Sequence, residues 1–369
     1  MYHFHFPYFW LGFCQILNKT KNMKKALLLS LVAIAFLACD REKLSVKPAH
    51  TGAAGEIVVI ADDSVWNNGL EESMTEHFRY YLPMLPQPEA ACNVGHYTPE
   101  QFSMIIERHR NIFQIEIDPK MTEGRLTLYK DKWAQDQLVV EIKAPNAREV
   151  NGLLELNHLS LVQVIDQMEN ERLAGVFSTY PAKGAMRVVK EKFGVDVVLP
   201  KGFEVAKSED DFIWVKREKS RNLSGTSYFI IQNFCVYTYP YDTQNSFEDS
   251  LLLKNRDRYV KKIPGSAKGS YMTTVYSFQE LDLYPEGKDV MIDDAYAREI
   301  RGLWKMENDF MGGPFISLST LNETKDKIIC IEGQVFAPKF DKREYLREME
   351  AVLYSFKQGQ VSEQTAEKQ

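Results

Sequence analysis

The sequence predicts an α+β protein of two tandem modules, each a mainly antiparallel sheet packed against helices. Three observations carry this. Short β-branched and aromatic runs, several with apolar residues on both faces, are interspersed with longer stretches of helical periodicity. A segment of turn-forming residues, 178–184 (STYPAKG), divides these elements into two sets. A chain of 369 residues that is 44% hydrophobic holds enough apolar material for two cores of ordinary size.

The elements follow in order. Residues 56–61 (EIVVIA) read as a buried strand ending at Asp62-Asp63, and a helix follows over 70–82 until Pro83, Pro86 and Pro88 break the chain. Thr98-Pro99-Glu100-Gln101 has the form of a helix start, with Phe102, Ile105 and Ile106 as its apolar face. Strands are expected at 111–117, 125–129 and 138–142. Asn146 then caps a long helix in which Val150, Leu153, Leu154, Leu161, Ile165 and Met168 recur at helical spacing. After the linker come a helix at 186–193 and strands at 195–199, 212–215 and 228–239. A basic helix at 250–263 precedes strands at 270–276, 298–307, 315–320 and 327–336. Asp341 and Glu344 form a capping box for a last helix, whose Tyr345, Leu346, Met349, Val352, Leu353 and Phe356 face the core.

The amino terminus is a targeting signal. Lys24 and Lys25 precede an apolar stretch, 26–36, that is shorter than the roughly 20 residues a membrane-spanning helix needs. Phe36-Leu37-Ala38-Cys39 closes it and resembles the lipobox of bacterial lipoproteins. That resemblance implies cleavage before Cys39 and a diacylglycerol on its sulfur; an ordinary cleaved signal is the alternative. Residues 1–22 lie upstream of a complete signal and are expected to reflect a start assigned too early. The resulting organisation is a misassigned start at 1–22, a signal peptide at 23–38, a tether at 39–55 and an N-terminal module at 56–177. The linker at 178–184, a C-terminal module at 185–357 and a polar tail at 358–369 complete it.

Net charge is −6 overall and −10 from Cys39 onward, because residues 1–38 hold four lysines and no acid. This balance gives no reason to expect nucleic acid as a partner. Cys92, Cys235 and Cys330 show no metal-binding spacing and read as buried free thiols.

Two resemblances add to this reading. Leu199-Pro200-Lys201-Gly202-Phe203 and Ser355-Phe356, with the element order between them, resemble the PsbP-like α/β/α sandwich. Residues 57–66 (IVVIADDSVW), 110–112, 133–137, 212–215, 311–315 and 332–338 together resemble an uncharacterised lipoprotein family of Bacteroidota, carried as a domain of unknown function. That resemblance implies an outer-envelope lipoprotein and supplies no activity, no cofactor and no catalytic residues.

Candidate chemistry is sparse. Asp62 and Asp63 at a strand end could hold a divalent cation, but adjacent residues on an extended chain point apart, and a turn or helix-cap role is expected. His50, His77, His96, His109 and His158 form no metal-ligand motif. Gly312 and Gly313, before Pro314, could form an anion nest or a tight turn. Tyr237, Tyr239 and Tyr241 alternate along a strand as core or as a stacking platform. Lys254, Arg256, Arg258, Lys261 and Lys262 read as a solvated helix face. No cofactor or metal site is expected. The expected function is a lipid-anchored, non-catalytic binding or assembly component of the cell envelope. Its partners would be the membrane, through Cys39, and other envelope proteins or glycans. The alternatives are an envelope hydrolase using Asp62 or Asp63 with a histidine, and a carbohydrate or lipid carrier.

Overall fold

The computed structural model describes residues 47–278 and 283–358. Residues 1–38, the proposed lipid-bearing Cys39 and the polar tail beyond Gln358 lie outside the described residues. From Ile57 to Ile60 each residue is at most 6% exposed, and this run forms β1 (Glu56–Ile60). In the first sheet β1 lies between β2 (Asn93–Tyr97) and β3 (Asn111–Ile117), followed by β5 (Leu138–Ala144) and β4 (Arg125–Lys130) at the far edge. The mainly antiparallel pairing expected here is not what forms. β2–β1, β1–β3 and β3–β5 are parallel, and β4 runs antiparallel to β5. The physical reason is visible in the strands themselves: near-continuous apolar runs buried on both faces are the mark of parallel strands, which need crossovers that cover the sheet.

One such crossover is α1 (Glu71–Phe78), entered through helical turns at Asp63–Val65 and Trp66–Leu70, where Gly69 takes φ 92°. The other face-covering helix is α2 (Ala147–Thr179), whose N-terminus is closed as expected: the Asn146 side chain accepts from the Glu149 N–H at 3.1 Å. Val150, Leu154, Leu161, Ile165 and Met168 of α2 join Met74 and Phe78 of α1 over one face of the sheet. On the other face Phe102, Ile106 and Trp133 pack against Val58, Ile60, Ile112 and Val139.

That second layer explains why the helix expected from Thr98 does not propagate. The capping box forms, but it closes one 3-10 turn, Pro99–Gln101. Phe102 then adopts an extended conformation (ψ 97°) and sits edge-on to Trp133 at 5.4 Å. Burying that ring outweighs continuing a short helix, which has little stability of its own. Met104 and Ile105 are left about four-fifths exposed, at 80% and 78%. The segment assigned to the tether also joins the body in part, since Ala49 bridges Gln135 and Thr51 bridges His109.

The second sheet is antiparallel, in the order β10 (Tyr271–Val275), β12 (Ala295–Glu307), β13 (Gly312–Leu321), β14 (Lys327–Phe336), β9 (Thr226–Pro240), β8 (Phe212–Leu223), β7 (Glu204–Glu209). β11 (Glu286–Ile292) pairs with β12 as well. Strands β7 and β11 were not evident from the sequence, and both are polar, largely exposed runs. One face packs against α3 (Lys183–Phe193) and α5 (Arg343–Tyr354), the other against α4 (Asp249–Val260). The three-layered α/β/α arrangement expected of this module is therefore present. The strand expected at 195–199 shortens to β6 (Val195–Asp196), which pairs with β15 (Lys357–Gln358). Helix α3 begins at Lys183, so Tyr180 to Ala182 alone separate it from α2.

The described residues from Pro48 onward form one compact unit, and the joint between the two sheets runs through α5. The expected Asp341–Glu344 capping box is absent. Instead both oxygens of Glu89, from the first module, accept from the first N–H groups of α5: Lys342 N to Oε1 at 2.8 Å and Arg343 N to Oε2 at 2.8 Å. A carboxylate at this position satisfies two orphan donors and complements the helix dipole. Arg343 donates to the Ala90 carbonyl at 2.7 Å, and Arg347 donates to the carbonyls of Ala54 and Ala91. Gly55 (φ 69°) is required beside it, because a Cβ there would lie 2.2 Å from the Arg347 guanidinium. Among the described residues no helix is long and apolar enough to cross a membrane.

Candidate functional site

The residues singled out by sequence are mostly dispersed. Asp62 caps the turn after β1 through its carbonyl, which accepts from Val65 N and Trp66 N at 2.9 and 3.0 Å; its side chain makes no cap bond. Asp63 is exposed, with Oδ1 4.0 Å from His96 Nδ1. His96 stacks flat on Trp66 at 4.4 Å, and its Nε2–H donates to the Ala61 carbonyl at 2.8 Å, which fixes the ring. His77 stacks on His158 at 4.3 Å, His109 lies 3.3 Å from Glu56, and His50 lies against Arg110. Among the described residues no group of three or more His, Cys, Asp or Glu side chains is placed to hold a metal ion.

Gly312 and Gly313 form neither turn nor nest. Both are strand residues of β13, paired with Lys305 and Trp304 of β12. Gly313 is there because the neighbouring strand leaves no room for a side chain: a Cβ would lie 2.0 Å from the Val335 carbonyl oxygen. Tyr237 and Tyr239 are core residues, stacked with Tyr259 of α4 at 4.7 and 6.3 Å. The basic strip is divided, because Arg256 is 1% exposed and paired with a buried Glu332, so it belongs to the core and not to a solvated face. Cys92, Cys235 and Cys330 are buried free thiols, and burial pushes Cys92 and Cys330 up to about 12, which makes them poor nucleophiles.

What the fold does bring together is a cleft of 680 Å³ at the rim of the second sheet. Tyr241 follows β9, a 3-10 turn (Gln244–Phe247) supplies Gln244, Asn245 and Phe247, and Glu248 and Asp249 start α4. Asp289 comes from β11, Tyr296 and Arg298 from β12, and Leu321 from the end of β13. The rings form a contiguous group: Tyr241 to Phe247 is 6.0 Å between centroids and Phe247 to Tyr296 is 5.3 Å, edge to face.

Arg298 is locked in place. Nε and Nη2 donate to the two oxygens of Asp249 at 2.7 and 2.8 Å, and Nη1 donates to Asp289 Oδ1 at 2.9 Å. Tyr296 also donates to Asp289 Oδ1 at 2.9 Å. These bonds hold the Asp289 carboxyl below its ordinary range, Tyr296 first and Arg298 second, and the Asp249 pair holds Arg298 still more firmly protonated. Gly287 makes the fork possible, since a Cβ there would lie 2.3 Å from Asp249 Oδ2 and 2.5 Å from Arg298 Nη2. With its ion pairs mutually satisfied, the cleft is suited to holding a ligand against aromatic faces and side-chain amides, and poorly suited to moving protons. Tyr241 was the single member of this group that the sequence suggested.

A second cluster lies where α2 faces α5. Glu299, fully buried, accepts from Arg301 Nε at 2.8 Å, Lys288 Nζ at 3.1 Å and Tyr354 Oη at 2.5 Å, and Arg301 also pairs with Glu350. Asp166 of α2 sits in this field. Crowding by protein, then the charge of Glu350, pushes its carboxyl up to about 6, against the pull of Arg347 and Arg301. The folded protein therefore binds this proton more tightly than the unfolded chain does. The resulting stabilisation is full below about pH 4 and is lost as pH rises through about 6. Asp166→Asn, which mimics the protonated form, should raise stability at pH 7.5 by about 1 kcal/mol, the shift being discounted because the side chain reaches solvent. At pH 4.5 the gain should be smaller. Urea unfolding at both pH values checks this, and an equal gain at the two would show that charge is not the cause.

Fold and cleft together define a two-module α+β protein with an aromatic, polar cleft in its second module. Residues 182–355 match the domain of unknown function DUF4837, and residues 50–178 match the domain of unknown function DUF8532. No curated protein matches it. Among solved structures, a mutant of the protein Mog1 is similar at 11% identity and a TM-score of 0.29, covering 46% of this chain and 93% of its own.

Proposed function

We propose that this is a lipid-anchored cell-envelope protein, attached through Cys39, whose folded body is a non-catalytic binding component. The observation that carries the binding role is the cleft at Tyr241, Phe247, Tyr296 and Arg298. Arg298, Asp249 and Asp289 are fixed by one another, while the Glu248 carboxylate, three rings and the amides of Gln244 and Asn245 remain for a ligand. The anchor rests on the order of positive residues, apolar stretch and Leu37-Ala38-Cys39. Two lipid-borne chains on that cysteine would hold the acidic body stably at a bilayer.

Two measurements test the two halves of this reading. Cells expressing the full chain should incorporate labelled fatty acid into the wild type and not into Cys39→Ala; an unlabelled wild type removes the anchor. For binding, saturation-transfer NMR on the detergent-solubilised full chain would use a mixture of neutral saccharides, alkylamines and sugar phosphates. At least one class should receive saturation and lose it in Tyr296→Ala. A silent mixture, or the appearance of cleaved products, overturns the binding role.

A further inference from the structure

We infer that the cleft selects an alkylammonium group, and this rests on its being a binding site. Four charged side chains line it: Glu248, Asp249 and Asp289 against Arg298. Its formal charge is therefore −2. Arg298 is the one cation in the lining, and Nε, Nη1 and Nη2 are all directed at carboxylates. A phosphate or carboxylate ligand would have to displace Asp249 or Asp289 to reach it, and would meet the remaining acids unshielded. Anions are thus disfavoured by the same geometry that makes the site rigid.

The rings point the other way. The faces of Tyr241, Phe247 and Tyr296 carry the negative part of the aromatic quadrupole, and such groups of rings hold primary and quaternary ammonium ions. Glu248 is exposed, and while its backbone bonds to Asn245, Leu251 and Leu252, its side chain has no hydrogen bond or ion pair to any described residue, which leaves its carboxylate available as the counter-charge at the cleft edge. Leu321 adds apolar surface for the carbon chain that carries the ammonium. A neutral sugar could stack on one ring, but it would gain nothing from the net negative charge. A charged amine gains from both rings and carboxylates, and its binding should weaken with added salt.

Isothermal titration of the detergent-solubilised full chain with choline, cadaverine, cellobiose and glucose 6-phosphate tests this. Choline or cadaverine should bind saturably, and the saccharide and the phosphate should bind at least tenfold more weakly. Tyr296→Ala and Glu248→Gln should each weaken amine binding about tenfold, whereas Tyr296→Phe, which keeps the ring face, should retain it. Because Glu248 is exposed, Glu248→Gln reports on the site even if Tyr296→Ala fails to fold. If cellobiose binds at this cleft as well as the amines do, the ammonium assignment fails and the binding role stands. Amine binding that ignores both Tyr296→Ala and Glu248→Gln places it elsewhere and also overturns the assignment. If no probe binds, both readings fall.

Discussion

Replacing Arg256 with alanine should destabilise the protein by about 3–5 kcal/mol, the cost of stranding an unpaired charge in a core. Arg256 and Glu332 are 1% and 0% exposed. The guanidinium reaches Glu332 through Nε at 3.1 and 3.0 Å and through Nη2 at 2.7 Å, donates to Thr274 Oγ1 at 2.7 Å, and lies 3.7 Å over the Phe315 ring. Removing it leaves the Glu332 carboxylate with the Gln334 amide as its remaining described side-chain donor, at 2.6 Å. The double substitution Arg256→Met with Glu332→Leu should cost much less than Arg256→Ala, because an apolar pair needs no compensating charge. Urea unfolding of the three proteins decides the matter. A loss below about 1 kcal/mol for Arg256→Ala would mean that water reaches Glu332 and that the pair is not a core element.

A single methyl group at residue 313 should be nearly as damaging. Gly313→Ala would place its Cβ 2.0 Å from the carbonyl oxygen and 3.2 Å from the carbonyl carbon of Val335, both backbone atoms of the adjoining strand, so no side chain can swing aside. β13 and β14 must separate locally, at about 3 kcal/mol, the upper part of the range for overpacking. The same substitution at Gly152 of α2, where nothing lies within 4 Å, should instead stabilise by up to about 1 kcal/mol through helix propensity. Paired thermal melts provide the check. A neutral Gly313→Ala would mean that the sheet yields at this point more easily than its packing indicates.

Much of the architecture was legible in the sequence because its signals are local. The Asn146 cap and the spacing of Val150, Leu154, Leu161 and Ile165 specify α2 without reference to the rest of the chain. Arg256 was also legible in principle: Leu252, Leu253, Tyr259 and Val260 lie four and three residues to either side, so a helix that buries them buries Arg256 too. Local signals failed where a distant group competed for the same atoms. The helix expected after the Thr98 box gave way to burial of Phe102 on Trp133, and the Asp341 box gave way to Glu89. The cleft could not be read at all. Its residues span 241 to 321 and meet through the pairing of β11 with β12, and β11 (EGKDVMI) carries little strand signal of its own.

The Glu89 carboxylate at the head of α5 has a consequence for how this protein is made. The two partners are separated by some 250 residues, and α5 is the last helix of the described chain. A nascent first module must therefore wait, with Ala54, Ala90 and Ala91 unpaired to their arginines, until nearly the whole polypeptide has been delivered. Contacts of such long sequence separation slow folding and leave a late-completing intermediate. Under the proposed export of this chain the delay would be useful, since translocation requires a polypeptide that has not yet closed on itself.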